Sequence, residues 1–522
     1  MRRAMAAALA AMLLFTGCAT EREEPVAATE SATAAVPAGT AGTVPVAARG
    51  GEVALSMRPP QTLNPLENVD VTVDAVLKLV FEPLMILDEQ QKPQANAALL
   101  SGMSVAADGM SATLTLRGGV VWSDGVAVKA SDVVYSVEML RQAPADVVYK
   151  SSVLNIFAAE VVGDNAVLLR FVQPYSMTPY MLMFPIVPAH HYGAKAQQEK
   201  NAFAPLGNGL YAVEEYVPAE GLTLKASESA AAGRPYIDKV RVLIMPDRES
   251  DMNAFDQGIT QVVAADITDW ARYRGAQDAR ASEYATTYFE FVGFQHGKPL
   301  MQNVQVRRLA EAIATEAEFL ATLYLDSAMR AKTPVSPASW LYEENTPGGA
   351  LDEEAAKAAL AGQTVVVLVN EENAERVRIA EKLAAGLTAA GAAAKVTSLP
   401  FGEFQTRLTA GDFDMFVGGY QLAVAPDLSF MFHSKNAGAT NVLRYQSEAM
   451  DGMLAGAAGA MGDEALRAAM AELQKHIAEE LPCVGLVFRK SAVVTSKKVY
   501  AEPVPVVNHV YAGMGDWFVL GE

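Results

Sequence analysis

Residues 120–140 read VVWSDGVAVKASDVVYSVEML, and no other stretch says as much about the fold. Val120, Val121 and Trp122 favour extended backbone. Ser123, Asp124 and Gly125 supply a tight turn, with Gly125 free to take positive φ. Val133, Val134, Val137 and Leu140 then recur at helical spacing, and Ser131 is the expected N-cap of that helix.

Outward from this stretch, local signals alternate between strand and helix. Val53, Leu55 and Met57 alternate as a strand does, and so does the run 113–117. Residues 73–84 carry apolar side chains at helical spacing. Two short runs, 161–162 and 167–171, flank Gly163-Asp164-Asn165 as a hairpin. The order strand 239–244, helix 250–257, strand 262–264 suggests a βαβ unit. Residues 363–369 form a continuous apolar strand, as expected where both faces are buried. A helix to Ala390, a strand at 394–399, a helix at 401–409 and a strand at 413–418 follow, predicting βαβαβ with a parallel sheet. A further amphipathic helix spans 463–480 and stops before Pro482.

The words of the opening stretch closely resemble the "V-x-F-x-DG-x-P-x-T-A-x-DV-x-x-S" signature of the family 5 extracellular solute-binding proteins, the peptide, oligopeptide and nickel receptors of ABC importers. Further matches follow in family order. Thr62-Leu63-Asn64-Pro65 resembles "TLDP", Val80 to Leu84 resembles "VYEGL", and Gly207 to Tyr211 resembles "GTGPY". The run 306–313 is similar to "VRQALAYAI", Gly411 to Met415 to "GDFDM", and Asp516-Trp517 to the terminal "DWW". The resemblance implies an α/β, periplasmic-binding-protein-like fold of type II. Two hinged lobes are built from interleaved chain segments: lobe I at 50–290 with a β-rich insert at about 77–200, lobe II at 291–489, and a return to lobe I at 490–522.

The amino-terminal end reads as a targeting segment. Arg2 and Arg3 precede the apolar run 4–15, which is too short to span a bilayer comfortably. Leu14 to Cys18 resembles a bacterial lipobox, so residues 1–17 are expected to be a signal peptide and Cys18 the lipidated residue. Residues 18–49, rich in Ala, Thr, Pro, Glu and Gly, read as a flexible tether. The roughly 470 residues beyond exceed one comfortable core and predict two or three lobes. A formal charge of −19 argues against nucleic acid, which demands basic patches. Cys483 is the one thiol besides Cys18, and its apolar surroundings suit a packed, inert group.

No H-E-x-x-H, G-x-S-x-G or G-x-x-x-x-G-K-[ST] motif is present, so neither an enzyme nor a cofactor is expected. The six histidines are scattered, apart from His190 and His191, which would point to opposite faces of a strand. In open α/β sheets ligands bind beyond the carboxyl ends of strands. The strand 413–418 ends at GGYQLAVAPD, which resembles the family's "GGW-x-A-D-Y-P-D-P" loop. In the family's peptide receptors the Asp of "A-D-Y" pairs with the ligand's α-amino group; here Ala423 holds that position, and a carboxylate returns at Asp427. The resemblance makes Tyr420 a wall of the ligand site, with His433 beside it. Arg444 is a candidate partner for a ligand carboxylate, and Asn64 and Tyr211 are candidates from the opposing lobe. Arg307 is expected in a structural ion pair. The function implied is a lipid-anchored, monomeric receptor in the periplasm or cell envelope. It captures a peptide or other small solute and delivers it to the permease and ATPase subunits of an ABC importer. A nickel or metal-chelator receptor, or a non-transport envelope lipoprotein, is the alternative.

Overall fold

The computed structural model describes residues 46–193, 204–265 and 269–520; the expected signal peptide, Cys18 and most of the tether lie outside them. Within residues 120–140, the turn forms as read, with Gly125 at φ +86°. Residues 120–122 make only an isolated bridge, Val121 to Ala127, instead of a strand. The helix Ala130–Gln142 starts two residues earlier than an N-cap at Ser131 allows, with Lys129 as its N-cap. Its start is organised by Asp132, whose carboxylate accepts from the Lys129 amide at 2.9 Å, the Trp122 indole at 3.1 Å and the Ala189 amide at 3.0 Å. Ser136 adds a second tie: its hydroxyl donates to the Asp132 carbonyl and accepts from the Val187 amide. The stretch is a structural knot that binds turn, helix and the 187–189 segment.

Among the described residues the strands assemble into three sheets of four or more. In a four-stranded sheet, Glu52–Met57 pairs in parallel with Lys239–Ile244, followed antiparallel by Gly221–Ala226 and Tyr211–Val217. A second four-stranded sheet, order Leu100–Val105, Ser111–Leu116, Ala166–Phe171 and Ile156–Val161, contains the expected hairpin. The seven-stranded sheet runs Val262–Ala265, Cys483–Ser496, Ala279–Phe294, Met415–Gln421, Thr364–Asn370, Ala393–Leu399, with Ala328–Arg330 also on Cys483–Ser496. Thr364–Asn370 pairs in parallel with both Ala393–Leu399 and Met415–Gln421, as the βαβαβ pattern requires. The intervening helix Ala374–Ala389, capped by Asn373, lays Ile379, Leu383 and Leu387 on Val365, Val367 and Val369.

Two readings fail for the same reason, pairing with distant chain. The helix expected over 73–84 stops at Leu77. Beyond it the carbonyls of Leu79 and Val80 accept from the Tyr211 and Gly209 amides. Gly207 and Gly209 permit that approach, since a Cβ on Gly207 would lie 1.9 Å from the Val80 oxygen. The βαβ unit at 239–264 does not form either. Lys239–Ile244 and Val262–Ala265 sit in different sheets, the latter antiparallel to Cys483–Ser496.

One large apolar core joins the two four-stranded sheets and recruits Tyr511, Met514 and Trp517 from the end of the chain. Two others lie on either side of the seven-stranded sheet, and a small one surrounds Trp270. His190 and His191 lie in a short helix, Ala189–Tyr192. Arg307 makes no ion pair of the expected kind; it donates to the carbonyls of Met301, Gln302, Glu480 and Leu481, closing the end of the helix Asp463–Glu480.

Candidate ligand-binding site

Two parallel strands, Glu52–Met57 and Lys239–Ile244, point their carboxyl ends the same way. The first delivers Arg58; the second leads through Asp247 into the helix Arg248–Asp256, which carries Asp251 in its first turn. Facing them are Tyr284 from Ala279–Phe294 and Gln421 from Met415–Gln421. Between lies a cavity of about 490 Å³, also walled by Val71, Asp74, Lys78 and Tyr149 and by residues 507–511. Its placement follows the carboxyl-edge rule for α/β sheets, and its size suits a small ligand.

Two ion pairs line the cavity, and they differ. Asp74 and Lys78 meet at 2.6 Å, with side chains 7% and 11% exposed. This pair is complete: Asp74 also accepts from the Tyr149 hydroxyl at 2.7 Å, and Lys78 donates to the Asn508 carbonyl. Burial raises the Tyr149 phenol well above its ordinary pKa, and the Asp74 charge adds to that, so it stays a donor. Arg58 and Asp251 meet at 2.5 Å, with side chains 21% and 13% exposed. Here polar atoms are left over. Asp251 Oδ1 and Asn508 Oδ1 are sealed from solvent without a hydrogen bond, and Arg58 Nη1 faces Asp251 outside hydrogen-bond geometry.

None of the seven residues expected to bind ligand is in this wall. Tyr420 comes nearest in sequence, next to Gln421. Successive strand residues face opposite ways, and its ring packs instead on Phe291 at 5.2 Å and Phe430 at 5.6 Å, burial pushing its pKa up to about 12. Ala423 is exposed beyond the strand end. Asp427 accepts from the Tyr175 hydroxyl at 2.9 Å and the Ser429 amide at 2.9 Å. His433 Nδ1 lies 3.2 Å from Asp451. Arg444 donates to the Thr409 carbonyl at 2.9 Å and lies over Gly411, where a Cβ would approach its guanidinium to 2.5 Å. Asn64 Oδ1 accepts from the Leu66 amide inside its own turn. Tyr211 is buried in the first core. Arg58 and Asp251 were readable only by applying the carboxyl-edge rule to the first half of the chain as well as the second.

Among the described residues no three His, Cys, Asp or Glu side chains gather to hold a metal. His296 is buried against the Pro482 carbonyl at 2.9 Å, and burial lowers its pKa to about 4. Cys483 is fully buried, and burial raises its thiol far above the ordinary range. No described helix is long and apolar enough to cross a membrane.

Comparison with known proteins agrees with this architecture. Residues 94–441 match the bacterial extracellular solute-binding proteins, family 5 Middle, and the chain belongs to that family. The oligopeptide-binding protein AppA of Bacillus subtilis is 22% identical over 472 residues, covering 84% of this chain and 86% of that protein. Heme-binding protein A of Haemophilus influenzae is 21% identical over 274 residues, 50% of each. Among solved structures, HbpA2 from Haemophilus parasuis superposes with a TM-score of 0.78 at 19% identity, covering 90% of this chain and 100% of that one. CtaP from Listeria monocytogenes, an ABC transporter substrate-binding protein, gives 0.76 at 18%, covering 90% and 99%.

Proposed function

We propose that the chain is the solute-capturing receptor of an ABC importer, holding a peptide-sized guest between two lobes without altering it. The cavity at the carboxyl edge of the first sheet carries this reading, because its wall draws on both the four-stranded and the seven-stranded sheet. A guest seated there touches both and favours their approach, which is hinge closure around a ligand. The closed surface then docks on the permease. Lobe I at 50–290 and 490–522 and lobe II at 291–489 are the moving parts. A lipid on Cys18 holds the receptor, as a monomer, at the envelope membrane on the periplasmic side. Among the named relatives, AppA supports a peptide guest, being an oligopeptide-binding protein. Native mass spectrometry of protein from its own host, followed by isothermal titration with mixed di- to pentapeptides, tests the reading. A copurifying peptide or titration heat is expected. Silence across all peptide lengths, together with a trapped guest of another kind, refutes the peptide assignment.

A further inference from the structure

Granting solute capture in this cleft, we propose that Arg58 and Asp251 form an exchangeable ion pair that reads both charges of a zwitterionic guest, in place of the loop that follows the strand Met415–Gln421. The two pairs in the wall make the case by contrast. Asp74 and Lys78 have every oxygen and nitrogen named above engaged, so they hold the wall together. Arg58 Nη1 meets Asp251 Oδ2 at 2.5 Å outside hydrogen-bond geometry, and Asp251 Oδ1 is sealed from water with no partner. Asn508 Oδ1, a further wall acceptor, is in the same condition. Unpartnered buried polar atoms are costly unless something fills them.

The Arg58 charge and the unpartnered Asp251 and Asn508 oxygens specify the guest. A guest's anionic oxygen takes the Arg58 guanidinium, and its ammonium N–H groups take Asp251 Oδ1, with Asn508 Oδ1 offering another acceptor. Such a guest separates the pair and still leaves each charge compensated. A guest with a single charge engages one partner and strands the other in a poorly hydrated wall, which opposes binding. Selectivity for a free amino group and a free carboxylate therefore arises here. This also accounts for Ala423: it is exposed, outside the cavity wall, and the carboxylate it lacks is supplied by Asp251.

The test compares three pools built on the same apolar dipeptides, one free, one Nα-acetylated and one carboxyl-amidated, titrated calorimetrically against wild type, Asp251→Asn and Arg58→Gln. Wild type is expected to bind the free pool and to lose about 30-fold or more with either cap. Asp251→Asn should narrow the gap between free and acetylated pools, and Arg58→Gln the gap between free and amidated pools. A purely structural role moves all three pools together. Equal wild-type affinity for free and capped pools, or a uniform drop across pools in both variants, overturns the pair's role and leaves solute capture standing. Silence of every pool on wild type overturns the pair's role and the peptide reading together. Should Asp251→Asn or Arg58→Gln fold poorly, the capped pools on wild type and Arg58→Lys decide the matter.

Discussion

The knot around Asp132 and the wall around Asp251 both centre on a carboxylate, but they serve opposite ends. Asp132 is 4% exposed, and three donors from the turn, the helix start and the 187–189 segment converge on it. Everything it needs is inside the molecule. Asp251 has one oxygen taken and one left over. A fully satisfied polar cluster rigidifies a fold; a partly satisfied one at a cavity is an offer to a ligand. The most recognisable words of this sequence therefore mark architecture, while the residues assigned to chemistry lie in unremarkable stretches.

The sharpest way to break this contrast is Asp132→Ala. It orphans three buried donors at once and is expected to cost about 3–5 kcal/mol, read as a fall in the denaturant midpoint, while the surviving folded fraction keeps its ligand affinity. A loss of affinity at unchanged stability would show that the knot is part of the site.

Acidification probes a third place, remote from both. His296 has a folded pKa of about 4 against an ordinary value of 6.5. The unfolded chain therefore binds the proton first as pH falls. The stability this contributes is complete above pH 6.5 and drains away between 6.5 and 4. His296 accounts for about 2 kcal/mol of the loss between pH 7 and pH 5, a share that His296→Gln removes from the pH profile measured by chemical denaturation, while buried His509, lowered to about 3, keeps its own comparable share. An identical profile in the variant would contradict the burial of this imidazole.

Removing both members of the cleft pair, Arg58→Ala with Asp251→Ala, should change stability by about 1 kcal/mol or less, since no buried charge is left alone. A change near that of Asp132→Ala would erase the distinction between the two carboxylates. Smallest of all is Ala423→Asp. At an exposed position outside the cavity it should alter melting by less than about 0.5 kcal/mol and leave affinity for free dipeptides as it was. A marked gain in affinity would return ligand reading to that loop.

Much of the fold was legible because its signals are local. The helix Ala374–Ala389 has its Asn373 cap and a four-residue rhythm, and Gly411 closes the next helix at φ +78°. The failures have one physical source. Ser131 lost the helix start to Asp132, whose partners include Ala189, far along the chain. Residues 79–80 left the helix to meet 209–211. The expected site residues lie apart from the cavity. Tyr420 ends the right strand and Asp427, His433 and Arg444 follow it, but their side chains contact Phe291, Tyr175, Asp451 and Thr409. Arg58 and Asp251 lie about two hundred positions apart, and nothing in either neighbourhood names the other.

Among the described residues the longest ladder joins Ala279–Phe294 to Cys483–Ser496, and the first core waits for Tyr511, Met514 and Trp517. Neither can be finished before residues 483–496 and 511–517, respectively, have been made. A nascent chain of this topology leaves both unfinished until those late segments arrive, so it forms no early, stable intermediate of the whole body. Refolding in the test tube should in turn be slow, limited by closure of very long loops.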